Sequence, residues 1–238
     1  IWISVSILIL IFLPLASFFL IKNLDFDTRE QSNSEDFKIK EIKQWKRIEV
    51  LKDYRFYIVC LNMLAMPCIA TGVFVYQSFV TNSKGWGEYT IAQSFMSYSI
   101  FSVITLIVAG YLIDKFTSRK LLIYMNIPLF LGTLVIIYFD APQTAFLFLG
   151  LVGISNGLAN LLGSSTWAEI YGVKYIGSIK ALTTALMVFA TAFGTALFGF
   201  FIDAGFSIEK IAFIAAIAIA CSIALLFTIR KKLNPVYL

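Results

Sequence analysis

The sequence predicts an all-α polytopic membrane protein with seven transmembrane helices. Composition is the first reason. Of 238 residues, 59% are hydrophobic and only 14% charged, against about 45–50% and 25% in soluble domains. The second is the arrangement: the apolar residues gather into seven runs of 19 to 28 residues free of Asp, Glu, Lys and Arg, and about 20 cross the hydrocarbon core as a helix. The third is continuity. Membrane strands alternate over roughly 10 residues, and these runs are longer and unbroken, so backbone satisfaction in lipid comes from helices.

The first span is Ile1–Ile21. It begins without the charged lead or small-residue cleavage site of a secretion signal, and is expected to be the last helix of an N-terminal half lying upstream. Residues 22–55 form a polar linker. Its first part, 22–36, holds two basic and five acidic residues among Ser and Asn, the composition of a solvated chain. Its second part, 38–55, holds seven basic and three acidic residues. There Ile39, Ile42, Trp45, Ile48 and Leu51 recur near every third position, predicting a basic amphipathic helix on the lipid surface, with a solvated helix as the alternative. Six spans follow: Phe56–Ser83, Tyr89–Ile113, Leu121–Phe139, Ala141–Ala168, Ala181–Ile202 and Ile211–Ile229. They define a six-helix domain over 56–230, with a tail over 231–238. Pro14, Pro67 and Pro128 fall inside spans, where each removes a helix hydrogen bond and can kink the chain.

Charge sets the orientation. The linker, the loop holding Lys115, Arg119 and Lys120, the loop holding Lys174 and Lys180, and the tail with Arg230, Lys231 and Lys232 carry 17 of the 19 Lys and Arg residues. The intervening loops carry only Lys84 and Lys210. The positive-inside rule places the first set in the cytoplasm, with Leu238 inside and Lys84 outside. Orientation and anionic lipid then account for the net charge of +5 without a nucleic-acid partner.

The chain has no histidine, which removes His-dependent catalysis and most zinc chemistry. Cys60, Cys68 and Cys221 all lie in apolar runs with no CxxC spacing, as small buried side chains do. No GxSxG elbow or buried acid pair is present. No metal, cofactor or enzymatic activity is expected.

The six spans divide into two triplets sharing a tag. The second ends Gly110-Tyr-Leu-Ile-Asp114 and the fifth Gly199-Phe-Phe-Ile-Asp203, 89 residues later. Three spans separate them, so the tags leave the membrane on opposite sides, as an inverted three-helix repeat requires. The longer segment Gly110-Tyr-Leu-Ile-Asp-Lys-Phe-Thr-Ser-Arg-Lys120 joins a close-packing glycine to a cluster of charges on a short turn.

That segment resembles the signature cytoplasmic loop of the major facilitator superfamily, G-x-L-x-D-R-x-G-x-R-R. Gly110, Leu112, Asp114, Lys115, Arg119 and Lys120 match, with Lys for Arg twice, and Thr117 stands where the family usually has Gly. The resemblance implies twelve helices with a long loop after the sixth, so the chain looks like helices six to twelve. It implies that Trp167–Lys180 is the loop between helices ten and eleven, and there Glu169 is expected to join the basic residues near Asp114 in an intracellular gate. A solvated helix-end charge is the alternative for Glu169.

Polar groups deep in apolar runs are costly unless they face the bundle or water. Gly153, Asn156, Asn160, Gly163 and Trp167 recur at spacings of 3, 4, 3 and 4 on one helix face. Asn62, Met66, Val73 and Gln77 do the same, with Tyr76 beside them. By resemblance these spans line the family's central cavity. Gln93 and Tyr98 join them, while Thr184, Thr191 and Thr195 read as packing surface. No charge lies near the middle of a span, so this half offers the substrate amides, hydroxyls and aromatics.

The resemblance implies a secondary transporter of a small organic solute working by alternating access. The segment Gly177–Gly194 is similar to bacterial permeases of the monocarboxylate type, which implies an organic anion and a bacterial inner membrane. Efflux of hydrophobic drugs is the alternative substrate class, and a non-transporting receptor or scaffold the alternative function.

Overall fold

The structure, a computed structural model, describes Leu10, Pro14 and residues 43–87 and 89–236. Contacts divide the chain into Ile1–Lys40 and Glu41–Leu238, and the description below concerns the second unit. Expectations for the first span, beyond the helical Leu10 and Pro14, and for the linker before Lys43 lie outside the described residues.

All regular structure among the described residues is helical, and six helices are long and apolar enough to cross a membrane. A short α1 (Arg47–Leu51) precedes α2 (Tyr54–Val75), α3 (Gln77–Ser83), α4 (Thr90–Phe116), α5 (Ser118–Leu121), α6 (Ile127–Tyr138), α7 (Gln143–Tyr171), α8 (Ile176–Asp203) and α9 (Ile208–Ile229). Two 3₁₀ turns, Leu122–Tyr124 and Arg230–Leu233, follow α5 and α9.

Two expected spans are interrupted. The run Phe56–Ser83 breaks at Tyr76, whose φ of −100° and ψ of 29° leave the helical region. The Tyr76 hydroxyl is seated on Gly199 of α8, where a Cβ would overlap it. The run Leu121–Phe139 passes through a 3₁₀ turn and restarts at Ile127. Its Asn126 is fully buried and turns its amide across to α2, donating to the Asn62 carbonyl at 2.6 Å and to the Asn62 side-chain oxygen. Pro128 therefore opens α6 rather than kinking it, since its missing N–H falls where no helical bond is due. Pro67 does sit inside α2.

The principal helix pairs follow an internal two-fold relation. Helix α4 packs on α7 as α8 packs on α2; α6 packs on α7 as α9 packs on α2; α2 meets α7, and α6 meets α9. Exchanging α2 with α7, α4 with α8 and α6 with α9 reproduces every one of these pairs. The 89-residue offset holds at the contacts. Gly157 on α7 meets Thr105 on α4, and Cys68 on α2 meets Gly194 on α8; Cys68 and Gly157, like Thr105 and Gly194, are 89 apart. In each pair one glycine admits the neighbouring backbone: a Cβ on Gly157 would lie 2.6 Å from the Ser102 carbonyl oxygen, and one on Gly194 would lie 2.8 Å from the Cys68 carbonyl carbon. Two inverted three-helix repeats, the arrangement expected from the sequence, are thus built into the packing.

The same pairings set the layers. Helices α4, α7, α2 and α8 form a row, and α6 and α9 cover one side of it. Large apolar side chains of α4 and α8, among them Ile104, Ile107, Phe189 and Phe193, are left exposed.

The described part of the expected amphipathic helix over 38–55 differs from expectation. Residues 43–46 are not helical, and only Arg47–Leu51 is. The reason is docking. The Lys43 N–H donates to the Val236 carbonyl at 2.7 Å and the Trp45 N–H to the Tyr171 carbonyl at 3.0 Å. The Lys174 N–H donates to the Gln44 side chain at 2.9 Å, which lies over Gly172, where a Cβ would collide with it. Backbone groups spent on the bundle are unavailable to a helix ladder.

Candidate functional site

Three features concentrate the polar chemistry: a cavity on the open side of the row and an ionic cluster at each end of the bundle. The cavity, about 280 Å³, lies between α2, α7 and α8, and no residue of α6 or α9 lines it. Helix α7 contributes Asn156, Asn160, Gly163, Ser164 and Trp167, from the stripe seen in the sequence. Helix α2 contributes Met63, Met66 and Pro67, and α8 contributes Lys180, Thr183, Thr184 and Met187. The Asn156 amide donates to the Ser102 hydroxyl of α4 at 2.9 Å, so it both anchors α4 and borders the cavity. Trp167 is buried at the base, stacked on Tyr171 with ring centroids 6.0 Å apart.

Lys180 is the residue that sequence reasoning misplaced. A span beginning at Ala181 left it in a loop. Helix α8 instead starts at Ile176, which puts Lys180 in its second turn and its side chain on the cavity wall. The cavity therefore carries a cation, whereas the sequence promised only amides, hydroxyls and aromatics. A charge-free run marks the apolar stretch and not the end of the helix, which runs on past it into the polar region.

The other expected cavity residues lie elsewhere. Asn62 is wholly buried against Asn126, an interhelical amide contact. Tyr76 and Gln77 sit at the break between α2 and α3. Gln93 is exposed near the start of α4. Tyr98 packs edge-on against Phe74, centroids 5.3 Å apart, and its backbone receives Gly153.

At the basic end the signature loop closes on α7. Helix α4 stops at Thr117, which takes φ +76°, a region that favours glycine and strains a β-branched residue. The turn of the glycine pattern is kept, although Thr stands in it. It presents the first N–H groups of α5 to Glu169: Ser118 donates at 2.8 Å and Arg119 at 3.3 Å. The Arg119 Nε adds an ion pair at 3.0 Å, and its Nη1 donates to the Leu233 carbonyl at 3.2 Å and the Asn234 side chain at 3.0 Å. One arginine thus ties α7, α5 and the tail. Asp114, Lys115 and Lys120 are exposed, and among the described residues no ion pair includes them. Gly110 approaches Leu161 of α7, and its counterpart Gly199 receives Tyr76. Asp203 ends α8.

Beside this cluster, buried Asp53 caps α2 by accepting from the Arg55 N–H at 3.0 Å. It pairs with the Arg55 guanidinium at 2.8 Å and accepts from the Tyr171 hydroxyl at 3.1 Å.

At the opposite end, Lys84 makes two ion pairs, to Asp140 at 2.6 Å and to Glu209 at 2.8 Å. Its side chain is 1% exposed. Burial opposes its charge, but the bonds to Asp140 and Glu209 outweigh it and raise the ammonium above its ordinary 10.5. This triad was not anticipated, because its members are 56 and 125 positions apart in the chain. It also occupies the corner that the internal two-fold pairs with Glu169 and Arg119, with reversed polarity: a cation closes the end of α3 and an anion opens α9.

Comparison with known proteins agrees with this architecture. No curated protein matches the chain significantly. The family model described as Major Facilitator Superfamily matches twice, over residues 1–185 and 58–236, the second match starting in α2 and running into the tail. With its six apolar helices, inverted repeats and the G-x-L-x-D loop at the end of α4, the chain belongs to the Major Facilitator Superfamily.

Proposed function

We propose that the protein carries a small organic anion across the membrane by alternating access, through the cavity between α2, α7 and α8. Transport of a solute across a membrane follows from the family; the anion and the route are our reading. The observation that carries it is the placement of Lys180 on a cavity wall that also presents Asn156 and Asn160. A carboxylate there meets a cation and amide donors, an arrangement in which charge-assisted bonds orient the ligand. The exposed apolar faces of α4 and α8 flank the cavity, and a second six-helix half seated on them would roof it. In this reading the bonds between Glu169 and Arg119 hold the basic end shut in one state and part in the other. The basic end is cytoplasmic by the positive-inside rule, in a bacterial inner membrane.

The test is uptake into liposomes of radiolabelled short monocarboxylates. Lys180→Gln is expected to raise KM about tenfold, the value of one ion pair of roughly 1.4 kcal/mol, and Lys180→Arg to restore most of it. Asn160→Ala, whose side chain makes no bond to another helix among the described residues, is expected to raise KM several-fold at unchanged abundance. Anion uptake insensitive to Lys180 removes this reading.

One observation favours hydrophobic drugs instead. A second cavity, about 350 Å³, lies between α2, α8 and α9 and is lined by Phe189, Phe193, Phe198 and Phe201. Export of a lipophilic dye, abolished by Phe193→Ala and indifferent to Lys180, would make that cavity the substrate site.

A further inference from the structure

We infer that the turn after α4 and the end of α9 together form a binding site for an anionic glycerophospholipid. The site has two compartments. The first is a pocket of about 340 Å³ bordered by Arg119, Lys120, Arg230 and Lys231, with Thr117, Tyr124 and Asn234 supplying neutral polar groups. No carboxylate lines it; Glu169, the ion-pair partner of Arg119, is occupied by it and by the first N–H groups of α5. Three of the bordering cations, Lys120, Arg230 and Lys231, make no ion pair among the described residues, and like charges gathered at one pocket favour an anion.

The second compartment is apolar and adjoins the first. Between α6 and α9 runs an open groove of about 550 Å³ lined by Ile127, Phe130, Ala220, Ile223, Ala224 and Phe227. Two links join the compartments. The Arg230 guanidinium lies 4.2 Å from the centre of the Phe227 ring, so the cation of one wall rests on the aromatic of the other. Tyr124 and Ile127 belong to consecutive turns of the same interrupted span.

Both helices cross the membrane, and the pocket lies at their ends while the groove runs along their flanks. A ligand filling both must carry a negative head and hydrocarbon tails. Free phosphate fills only the first, and a zwitterionic lipid brings an ammonium into a ring of cations.

The test uses the full chain in detergent and native mass spectrometry with dioleoyl-phosphatidylglycerol, dioleoyl-phosphatidylcholine and glycerol phosphate. Phosphatidylglycerol is expected to bind at least tenfold tighter than phosphatidylcholine. Arg230→Gln/Lys231→Gln is expected to weaken phosphatidylglycerol binding by up to about thirtyfold, at about fivefold for each cation removed near a membrane surface, and so to abolish the preference. Both side chains are exposed, and the lipid-free melting temperature checks that the fold is kept. Arg47→Gln/Lys52→Gln, at the same end but outside the pocket, is expected to leave the preference intact. Equal losses in the two variants would mean a diffuse field and overturn the site. Displacement of phosphatidylglycerol by millimolar glycerol phosphate would make it a free-anion pocket, and no preference in the parent protein would end the proposal.

Discussion

Glu169 and Arg119 are joined at two points: the carboxylate accepts from the arginine's own backbone N–H at 3.3 Å and from its Nε at 3.0 Å. One carboxylate thereby serves as cap of α5 and as ion-pair partner. Its removal loses both, so Glu169→Ala is expected to destabilise by about 1–2 kcal/mol, and Glu169→Gln, whose amide oxygen can still cap α5, by less. Thermal unfolding in detergent reads this. If the pair also acts as a gate, transport falls further than abundance. Asp114→Asn is expected to leave stability unchanged, because Asp114 is exposed and outside the pair.

Thr117 holds φ +76° without being glycine. A non-glycine residue in that region costs about 1–3 kcal/mol, part of which glycine returns by its greater freedom in the unfolded chain. Thr117→Gly is therefore expected to stabilise by up to about 1 kcal/mol, and Thr117→Val to gain nothing. A lower melting temperature for the glycine variant would show that the threonine side chain contributes more than its backbone strain costs.

Lys84 supports stability with a defined sign in pH. Its folded pKa lies above the ordinary 10.5, so the contribution is complete below that value and is lost as pH rises through the higher folded pKa. Melting temperatures are expected to fall above about pH 10.5, less steeply in Lys84→Gln. That variant is expected to lose about 1–3 kcal/mol at neutral pH, through the charge-assisted bonds that the buried ammonium makes to two carboxylates.

The same burial changes how orientation is tested. A cysteine at Lys84 would be shielded from reagents. Tyr89, 76% exposed, and Val173, 68% exposed, are open positions at opposite ends of the bundle. In a background without Cys60, Cys68 and Cys221, Tyr89→Cys is expected to react with an impermeant maleimide on intact cells, and Val173→Cys only after lysis. The reverse pattern would invert the topology.

Close approach between helices supplies the last test. Gly157 faces the Ser102 backbone and Gly194 the Cys68 backbone, and neither backbone can yield as a flexible side chain does. Gly157→Val and Gly194→Val are expected to abolish folded protein in a detergent-solubility assay. Gly163→Ala and Gly177→Ala, which meet open space, are expected to be neutral within about 0.5 kcal/mol.

The spans and the repeat were legible because they depend on local runs and on one constant offset. Apolar length marks a helix wherever it falls, and the tags at Gly110 and Gly199 report a relation that the packing of Thr105 with Gly157 and Cys68 with Gly194 repeats. The stripe from Asn156 to Trp167 was legible for the same reason, since periodicity alone assigns a face. What was not legible depends on partners distant in sequence. Asn62 reads as a cavity amide until Asn126, 64 residues on, takes it up. Lys180 reads as a loop cation because it bounds the charge-free run, although α8 already starts at Ile176. The loop pattern names several cations at once, and only the turn at Thr117 decides that Arg119, rather than Lys115 or Lys120, reaches Glu169.

The bond from the Lys43 N–H to the Val236 carbonyl bears on how this domain can be rewired. Its polypeptide enters and leaves at neighbouring points, so the order of its helices along the chain is separable from their arrangement in space. A circular permutant that fuses the tail to Lys43 through a few residues, and opens new termini in the loop at Tyr89, should keep all six spans in place. The two ends of the domain lie close enough for it to be inserted into a surface loop of another protein through two short linkers.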